Sequence, residues 1–409
     1  MNGSHIGRIG FDEALSLLRD AATPVPAEAI PLAQALGGVL AEDVTAPIDL
    51  QPFDNAAMDG FAVRAADLRA DGVSALRLVG EQYAGPARDL AVGPGECVRI
   101  TTGAPLPAGA DSVLPKEEAR LADGRVIAAC ALTPGTHVRR RGEDVRRGEV
   151  VLHAGQVVTP VRLGMLAALG FSRVPLRRRP HVAVFSSGDE LRPAGEPLRP
   201  GEIHDSNGPM LQALLAREGI QAAPQHLPDD RAAVTERLRA AARSADLVLT
   251  CGGVSAGEKD LLPAVLAQHG EVVFWKVRIK PGMPVLFGRL DGALVLGLPG
   301  NPVSVLATFL TLAQALLDAL QGRSEARAAW RARLAAPVDK PHDRLEFRRG
   351  RLEVDEHGGL RVHPDPATGS HRLRAAAQAN ALIVLPEGPL TLEAGALVHV
   401  LPYGEFGAR

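Results

Sequence analysis

Asp246-Leu-Val-Leu-Thr250, running straight into Cys251-Gly-Gly-Val-Ser-Ala-Gly-Glu-Lys-Asp260, is the stretch on which the reading of this chain turns. A short apolar run that ends in two glycines ahead of a helical stretch predicts a buried strand with a tight turn at its carboxyl end. Backbone N–H groups at such a turn, facing a helix start, suit an anion. The pattern returns in Gly297-Leu-Pro-Gly-Asn-Pro-Val-Ser304, where Asn301-Pro302 makes a good helix start with Asn as cap and Pro at the first position. Between the two loops, Phe274-Trp-Lys-Val-Arg-Ile-Lys-Pro-Gly282 supplies fixed positive charge. Loops of this kind gathered in one stretch point to a pocket for a phosphorylated or oxyanionic ligand.

Outward from this core the pattern is regular. Strand signals at 181–185, 222–227, 246–250, 272–275 and 294–298 alternate with helical stretches at 209–218, 230–243, 261–269 and 302–320. Alternation of apolar strands with helices predicts a three-layer α/β domain with helices on both faces. Ligands on such sheets bind beyond the carboxyl ends of the strands, where the glycine loops fall.

Towards the amino terminus, Phe11, Ala14, Leu15, Leu18 and Ala22 recur at helical spacing and predict a helix over 8–22, with a short one at 32–37. Residues 51–140 hold short apolar runs broken by Gly and Pro, the texture of a β-rich module. Residues 141–175 return to the earlier style, as expected if that module is inserted into an elongated outer domain. Beyond Gly322 an arginine-rich helix is expected at 324–334. Strands at 345–354, 360–363, 381–385 and 397–401 then predict a compact, barrel-like β domain. The expected fold is α/β plus β, multidomain and elongated: 1–50 with 141–175 as the outer domain (its first helix packing on the α/β domain), 51–140 inserted, 176–323 α/β, and 324–409 the last β domain.

Bulk properties agree. A chain of 409 residues predicts about two to four domains. With 46% hydrophobic and 22% charged residues and a net charge of -2, it is globular and lacks the basic excess that nucleic acid would need. No apolar run is expected to reach the roughly 18 residues of a membrane span, and the first residues lack the apolar stretch of a secretory signal. The three cysteines, Cys97, Cys130 and Cys251, are far apart and form no zinc or disulfide pattern, so a cytoplasmic location is expected.

Acidic residues mark the predicted loops: Asp189, Glu190, Asp205, Asp229, Asp230 and Asp260. Carboxylates without nearby Cys or His suit Mg²⁺ rather than zinc, though Asp205, Ser206 and Asp229 also stand where helix caps are wanted. Lys276 and Lys280, four apart in an extended run, would share a face; either an anion lies between them or the face is a solvated edge. The triplet Arg139-Arg-Arg-Gly-Glu-Asp144 is open to the same two readings. Cys251 at a helix start could be activated, but with no histidine near it in sequence it reads as a small packed residue. Two further segments resist explanation by periodicity: Pro52-Phe-Asp-Asn-Ala-Ala-Met-Asp-Gly-Phe-Ala62 and the hydroxyl-bearing Arg99-Ile-Thr-Thr-Gly-Ala-Pro-Leu-Pro-Ala-Gly-Ala-Asp111.

Taken in order, DNAAMDGFA (54–62), RITTGAPLPAGAD (99–111), RRRGEDV (139–145), SSGDEL (186–191), CGGVSAGEKD (251–260), FWKVRIKPG (274–282) and GLPGNPVS (297–304) resemble the MoeA family of molybdopterin molybdenumtransferases, found also as the carboxy-terminal domain of gephyrin. The resemblance implies insertion of molybdate into the dithiolene of adenylylated molybdopterin, with Mg²⁺-dependent release of AMP. By motif position it implies catalytic roles for Asp59, Thr102, Asp144, Glu190, Asp260, Lys276 and Lys280. Ligand binding is implied for Arg139, Gly252, Gly253, Ser255, Gly257, Pro299, Gly300, Asn301, Pro302 and Ser370, and the metal would fall to Glu190, Asp229 and Asp260. It further implies an elongated homodimer with a shared site, placing Asp59 and Thr102 across from the partner's α/β domain, and transient contact with other molybdenum cofactor synthesis proteins. Three positions depart from the family pattern: Met283 where Lys is frequent, and Phe61 and His204 where Tyr is common. A non-catalytic molybdopterin-binding scaffold and a CinA-like nucleotide hydrolase are the competing expectations.

Overall fold

The computed structural model of the chain describes residues 7–254 and 260–405. Its central sheet has six strands in the order Pro224–Leu227, Val182–Ser187, Leu247–Cys251, Ala293–Leu298, Leu286–Leu290, Gly270–Trp275. The first four are parallel, and Leu286–Leu290 runs antiparallel between its two neighbours. Every residue of Leu247–Cys251 is buried, as a strand covered on both faces must be. One face packs Leu211, Leu215, Val305, Leu312 and Leu316 together with Ala14 and Leu18 of the helix Phe11–Ala21. The other face packs Val234 and Leu238 of Arg231–Ala242 with Val265 and Leu266 of Leu262–His269. Three layers result.

The strand Leu286–Leu290 is missing from the sequence reading. Its signal is the dipeptide that follows it: Asp291 and Gly292 both have positive φ, 44° and 97°, the requirement of a two-residue hairpin turn. The stretch Pro302–Leu320 corrects another expectation, because it is 19 residues long and apolar enough to cross a membrane. Its apolarity is explained by the core: 72% of its 18-residue apolar window is buried, packed with the sheet and Phe11–Ala21. Five of its residues, Phe309–Ala313, form a π-helical turn.

Ala27–Pro31 pairs with Arg173–Arg177 and Val44–Thr45 with Val150–Leu152, so the segments on either side of 51–140 share one core, with Leu40, Val44, Leu152, Leu166 and Val174 inside. Between them lies a sheet of six strands: Ser112–Pro115, Gly60–Val63, Glu96–Ile100, Ser74–Gln82, Arg125–Ala128 and Ala119–Ala122.

At the carboxyl end, Leu345–Val354 pairs with both Leu360–Pro364 and Ala381–Leu385, closing these strands with Trp330–Leu334 and Leu397–Pro402 into a barrel. Ile279–Lys280 adds itself alongside, parallel to Leu345–Glu346. The helix expected at 324–334 is absent. Its charged residues are held instead by partners outside the segment: Glu325 takes both terminal nitrogens of Arg162 at 2.6 and 2.9 Å, and Arg327 bonds Glu218 and Asp318. Trp330–Leu334 is then drawn into the barrel opposite Leu397–Val400. Local helix propensity yields to these tertiary bonds.

Candidate functional site

The loops at the carboxyl ends of the parallel strands enclose a cavity of about 790 Å³. Ser187, Glu190, Asn207, Asp229, Gly252, Gly253, Asp260, Pro299, Gly300, Asn301, Pro302 and His371 line it. Gly252 is required for two reasons: its φ is +87°, and a Cβ there would lie 2.7 Å from the Ser187 carbonyl oxygen. Gly253 shares the left-handed conformation at +69°. Gly188 makes room for a carboxylate, since a Cβ on it would sit 2.5 Å from Glu190 Oε2. Ser255 and Gly257 lie outside the described residues.

Capping sorts the acids. Asp205 Oδ1 accepts from the amides of Asn207 and Gly208, both at 3.0 Å, and so opens the helix Asn207–Arg217. Asp230, not Asp229, caps Arg231–Ala242, accepting from the Ala233 amide at 2.8 Å. Asp229 lines the cavity, its own amide held at 2.9 Å by Asp189 Oδ1. Sequence pattern does not mark Asn207, although it follows Asp205-Ser206 directly. Its amide nitrogen donates to the Gly300 carbonyl at 2.7 Å and ties two cavity loops together.

Pro302 opens the buried helix as expected, but Asn301 makes no side-chain cap bond and is exposed at the cavity wall. The Val303 amide donates to the Ser370 carbonyl at 3.1 Å, which seats the 369–371 turn on this helix start. His371 reaches the cavity; Ser370 contributes its backbone. Cys251 is packed at the cavity wall, 2% exposed, its thiol pushed up to about 12 by burial.

The two lysines do not share a face of one strand. The strand ends at Trp275, Lys276 turns left-handed with φ +77°, and Lys280 belongs to the separate strand beside the barrel. One left-handed residue cancels the alternation on which the expectation rests. Lys276 Nζ lies 4.5 Å from the centre of the Trp275 ring, and Lys280 Nζ lies 3.7 Å from Glu346 Oε1. Neither lysine is among the cavity-lining residues.

A second constellation stands on the 51–140 sheet and its return. Thr102 donates its amide and its hydroxyl to Asp59 Oδ1, both at 2.9 Å, and Lys116 Nζ stands 3.4 Å from Oδ2. These contacts, the Thr102 amide foremost, hold the Asp59 carboxyl below its ordinary range. The 54–60 loop is clamped between Gly103–Ala104 and the strand Val138–Arg139, which pairs with Asn55–Ala56. In the arginine triplet, Arg140 is taken by Asp54 at 2.7 Å and Arg141 by Asp49 at 2.6 Å, while Arg139 is exposed. Asp144 is likewise exposed, its amide bonded to the Leu50 carbonyl. No residue of 51–140 is among those lining the cavity.

Magnesium fits the donor set at the cavity. Among the described residues no three His, Cys, Asp or Glu side chains form a ready metal cage. Mg²⁺ needs none, since it commonly takes one or two carboxylates and completes its shell with phosphate and water. Glu190, Asp229 and Asp260 are carboxylates on the wall of one cavity beside the glycine turn.

Three family models cover the chain in order: the MoeA N-terminal region (domains I and II) over residues 9–170, a probable molybdopterin binding domain over 183–319, and the MoeA C-terminal region (domain IV) over 331–403. A molybdopterin molybdenumtransferase of Haemophilus influenzae is 39% identical over 401 residues, spanning 97% of this chain and 99% of that one. The chain belongs to the MoeA family of molybdopterin molybdenumtransferases. A molybdopterin molybdenumtransferase 2 of Mycobacterium tuberculosis is 40% identical over 383 residues, 91% of this chain and 94% of that one. A crystal structure of the molybdopterin biosynthesis MoeA protein of Pyrococcus horikoshii superposes with a TM-score of 0.84 at 31% identity, covering 97% of this chain and all of that one. The MoeA architecture accounts for the segments that periodicity left unexplained. The strands Gly60–Val63 and Glu96–Ile100 are antiparallel neighbours in one sheet, and the loops beside them are joined through Asp59 and Thr102. Of the departures from the family pattern, Phe61 is a core residue, His204 lines the cavity, and Met283 contributes its carbonyl to the amides of Val277 and Val285.

Proposed function

We propose that this MoeA-family transferase inserts molybdate into the dithiolene of adenylylated molybdopterin and releases AMP, working as a cytoplasmic homodimer whose site is shared between protomers. The four-unit division drawn from the sequence is part of the same reading. The observation that carries it is the meeting of Glu190, Asp229 and Asp260 with the Gly252–Gly253 and Pro299–Pro302 loops on one cavity. Backbone N–H groups and a helix start suit the phosphate of the nucleotide. The dithiolene sulfurs belong to the substrate, so the protein supplies charge and placement rather than a nucleophile, in keeping with the inert Cys251. Glu190, Asp229 and Asp260 would hold magnesium, which when bound neutralises phosphate charge.

The second constellation, Asp59, Thr102, Arg139 and Asp144, would complete the site from the partner subunit. Guanidinium forks suit an oxyanion, and Arg139 is the member of its triplet not committed to Asp49 or Asp54. AMP release from purified protein supplied with adenylylated molybdopterin, Mg²⁺ and molybdate tests the reading. AMP appearing with molybdate supports it; tight pterin binding without AMP would make the chain a scaffold.

A further inference from the structure

Trp275 is joined to two functional elements at once. It is the last residue of Gly270–Trp275, opposite Leu286, and is half-buried. Its indole N–H donates to the Val254 carbonyl at 2.8 Å, one residue beyond the Gly252–Gly253 turn. Its ring carries the Lys276 ammonium at 4.5 Å. That stacking depends on the left-handed backbone of Lys276, φ +77°, which folds the side chain back on its neighbour. The backbone is pinned on both sides, the Lys276 amide to Val285 at 2.8 Å and its carbonyl by the Ile9 amide at 3.1 Å. A lysine is an uncommon occupant of that conformation, so the surroundings hold it there.

The choice of partner matters chemically. A carboxylate would neutralise the ammonium, as Glu346 does in part for Lys280 at 3.7 Å. An aromatic face orients the cation while leaving its charge available to an anion on the open side. We propose that Trp275 is a positioning residue for molybdate transfer, holding Lys276 on an uncharged ring and tying it through Val254 to the glycine turn. This role presupposes the transferase reading, with molybdate held at the edge of the cavity: Lys276 is not among the cavity-lining residues, but Val254, to which Trp275 is bonded, is.

The chain has two tryptophans, Trp275 and Trp330, so the W330F protein reports Trp275 fluorescence alone. In that background, molybdate shifts the emission, and adding K276M removes the shift; emission unchanged at saturating molybdate overturns the proposal. In steady-state assays of W330F, W275L raises the molybdate KM about tenfold while the pterin KM and kcat stay within about threefold. W275F keeps a ring and raises the molybdate KM by less, even where the two variants lose equal thermal stability. A molybdate KM unchanged in W275L, or one that simply follows stability in both variants, overturns the positioning role. Should the wild-type protein release no AMP, the transferase reading fails; if wild type and W330F turn over and W275L keeps its KM, Trp275 alone is misassigned.

Discussion

Asp59 receives two hydrogen bonds from one residue on the same carboxylate oxygen, the amide and the hydroxyl of Thr102, each at 2.9 Å. Lys116 adds a cation at 3.4 Å on the other oxygen. All three favour the ionised form, so this carboxylate stays charged at pH values where an ordinary aspartate has begun to protonate. In the proposed dimer that charge would face the substrate held by the partner subunit. D59A is expected to abolish cofactor formation with an unaltered circular dichroism spectrum. T102V keeps the amide bond and loses the hydroxyl, and is expected to reduce the rate about tenfold, the worth of one hydrogen bond to a charged group. Wild-type turnover in D59A would remove Asp59 from the site.

Within the arginine triplet, the proposed roles separate function from stability. R139A is expected to raise the molybdate KM about tenfold and to change unfolding free energy by less than about 0.5 kcal/mol. R141A breaks the contact with Asp49 at 2.6 Å and is expected to lower stability slightly, as loss of an exposed ion pair does, while leaving the molybdate KM alone. Denaturant titration and steady-state kinetics on both variants check the pair of outcomes.

Gly252→Ala tests the glycine turn. The added methyl meets the Ser187 carbonyl oxygen at 2.7 Å in a left-handed backbone, so a loss of about 1–3 kcal/mol is expected. The turn must shift, and nucleotide affinity falls with it. Calorimetric binding of AMP to G252A and wild type reads this directly; equal affinities would detach the turn from ligand binding.

Glu325 gives the chain a defined acid sensitivity. Its carboxyl is lowered from 4.5 to about 2, chiefly by the Arg162 guanidinium and also by the Val157 amide at 2.9 Å, against an opposing effect of burial. A depressed carboxylate stabilises the fold fully above its unfolded value and loses that contribution as pH falls towards the folded one. The window is pH 4.5 to about 2. E325Q should flatten the stability profile there and cost about 1–3 kcal/mol at neutral pH, the carboxylate being partly exposed. Urea unfolding of both proteins across that range checks the sign.

Much of this fold is legible in sequence because the α/β layers carry strong periodicity, as in Leu247–Cys251 and Arg231–Ala242. The 324–334 segment misleads because Glu325 and Arg327 are committed to Arg162, Glu218 and Asp318, remote in sequence. The lysines mislead for a local reason: a left-handed residue at 276 cannot be read from residue types that favour extended chain. Glu190, Asp229 and Asp260 are legible as acids at strand ends, and the cavity gathers them. Asn207 is not, since its contact with Gly300 depends on how two loops meet.

The central claim is that the cavity carboxylates of one protomer act with Asp59 of the other. Co-expression of D59A with D260A tests it most directly. Random pairing makes about half the dimers mixed, and each of these carries one intact shared site, so about a quarter of wild-type AMP release is predicted where either variant alone gives none. If Asp59 and Asp260 instead act within a single chain, no intact site can form in any dimer, and a mixture as inactive as its parents would contradict the account.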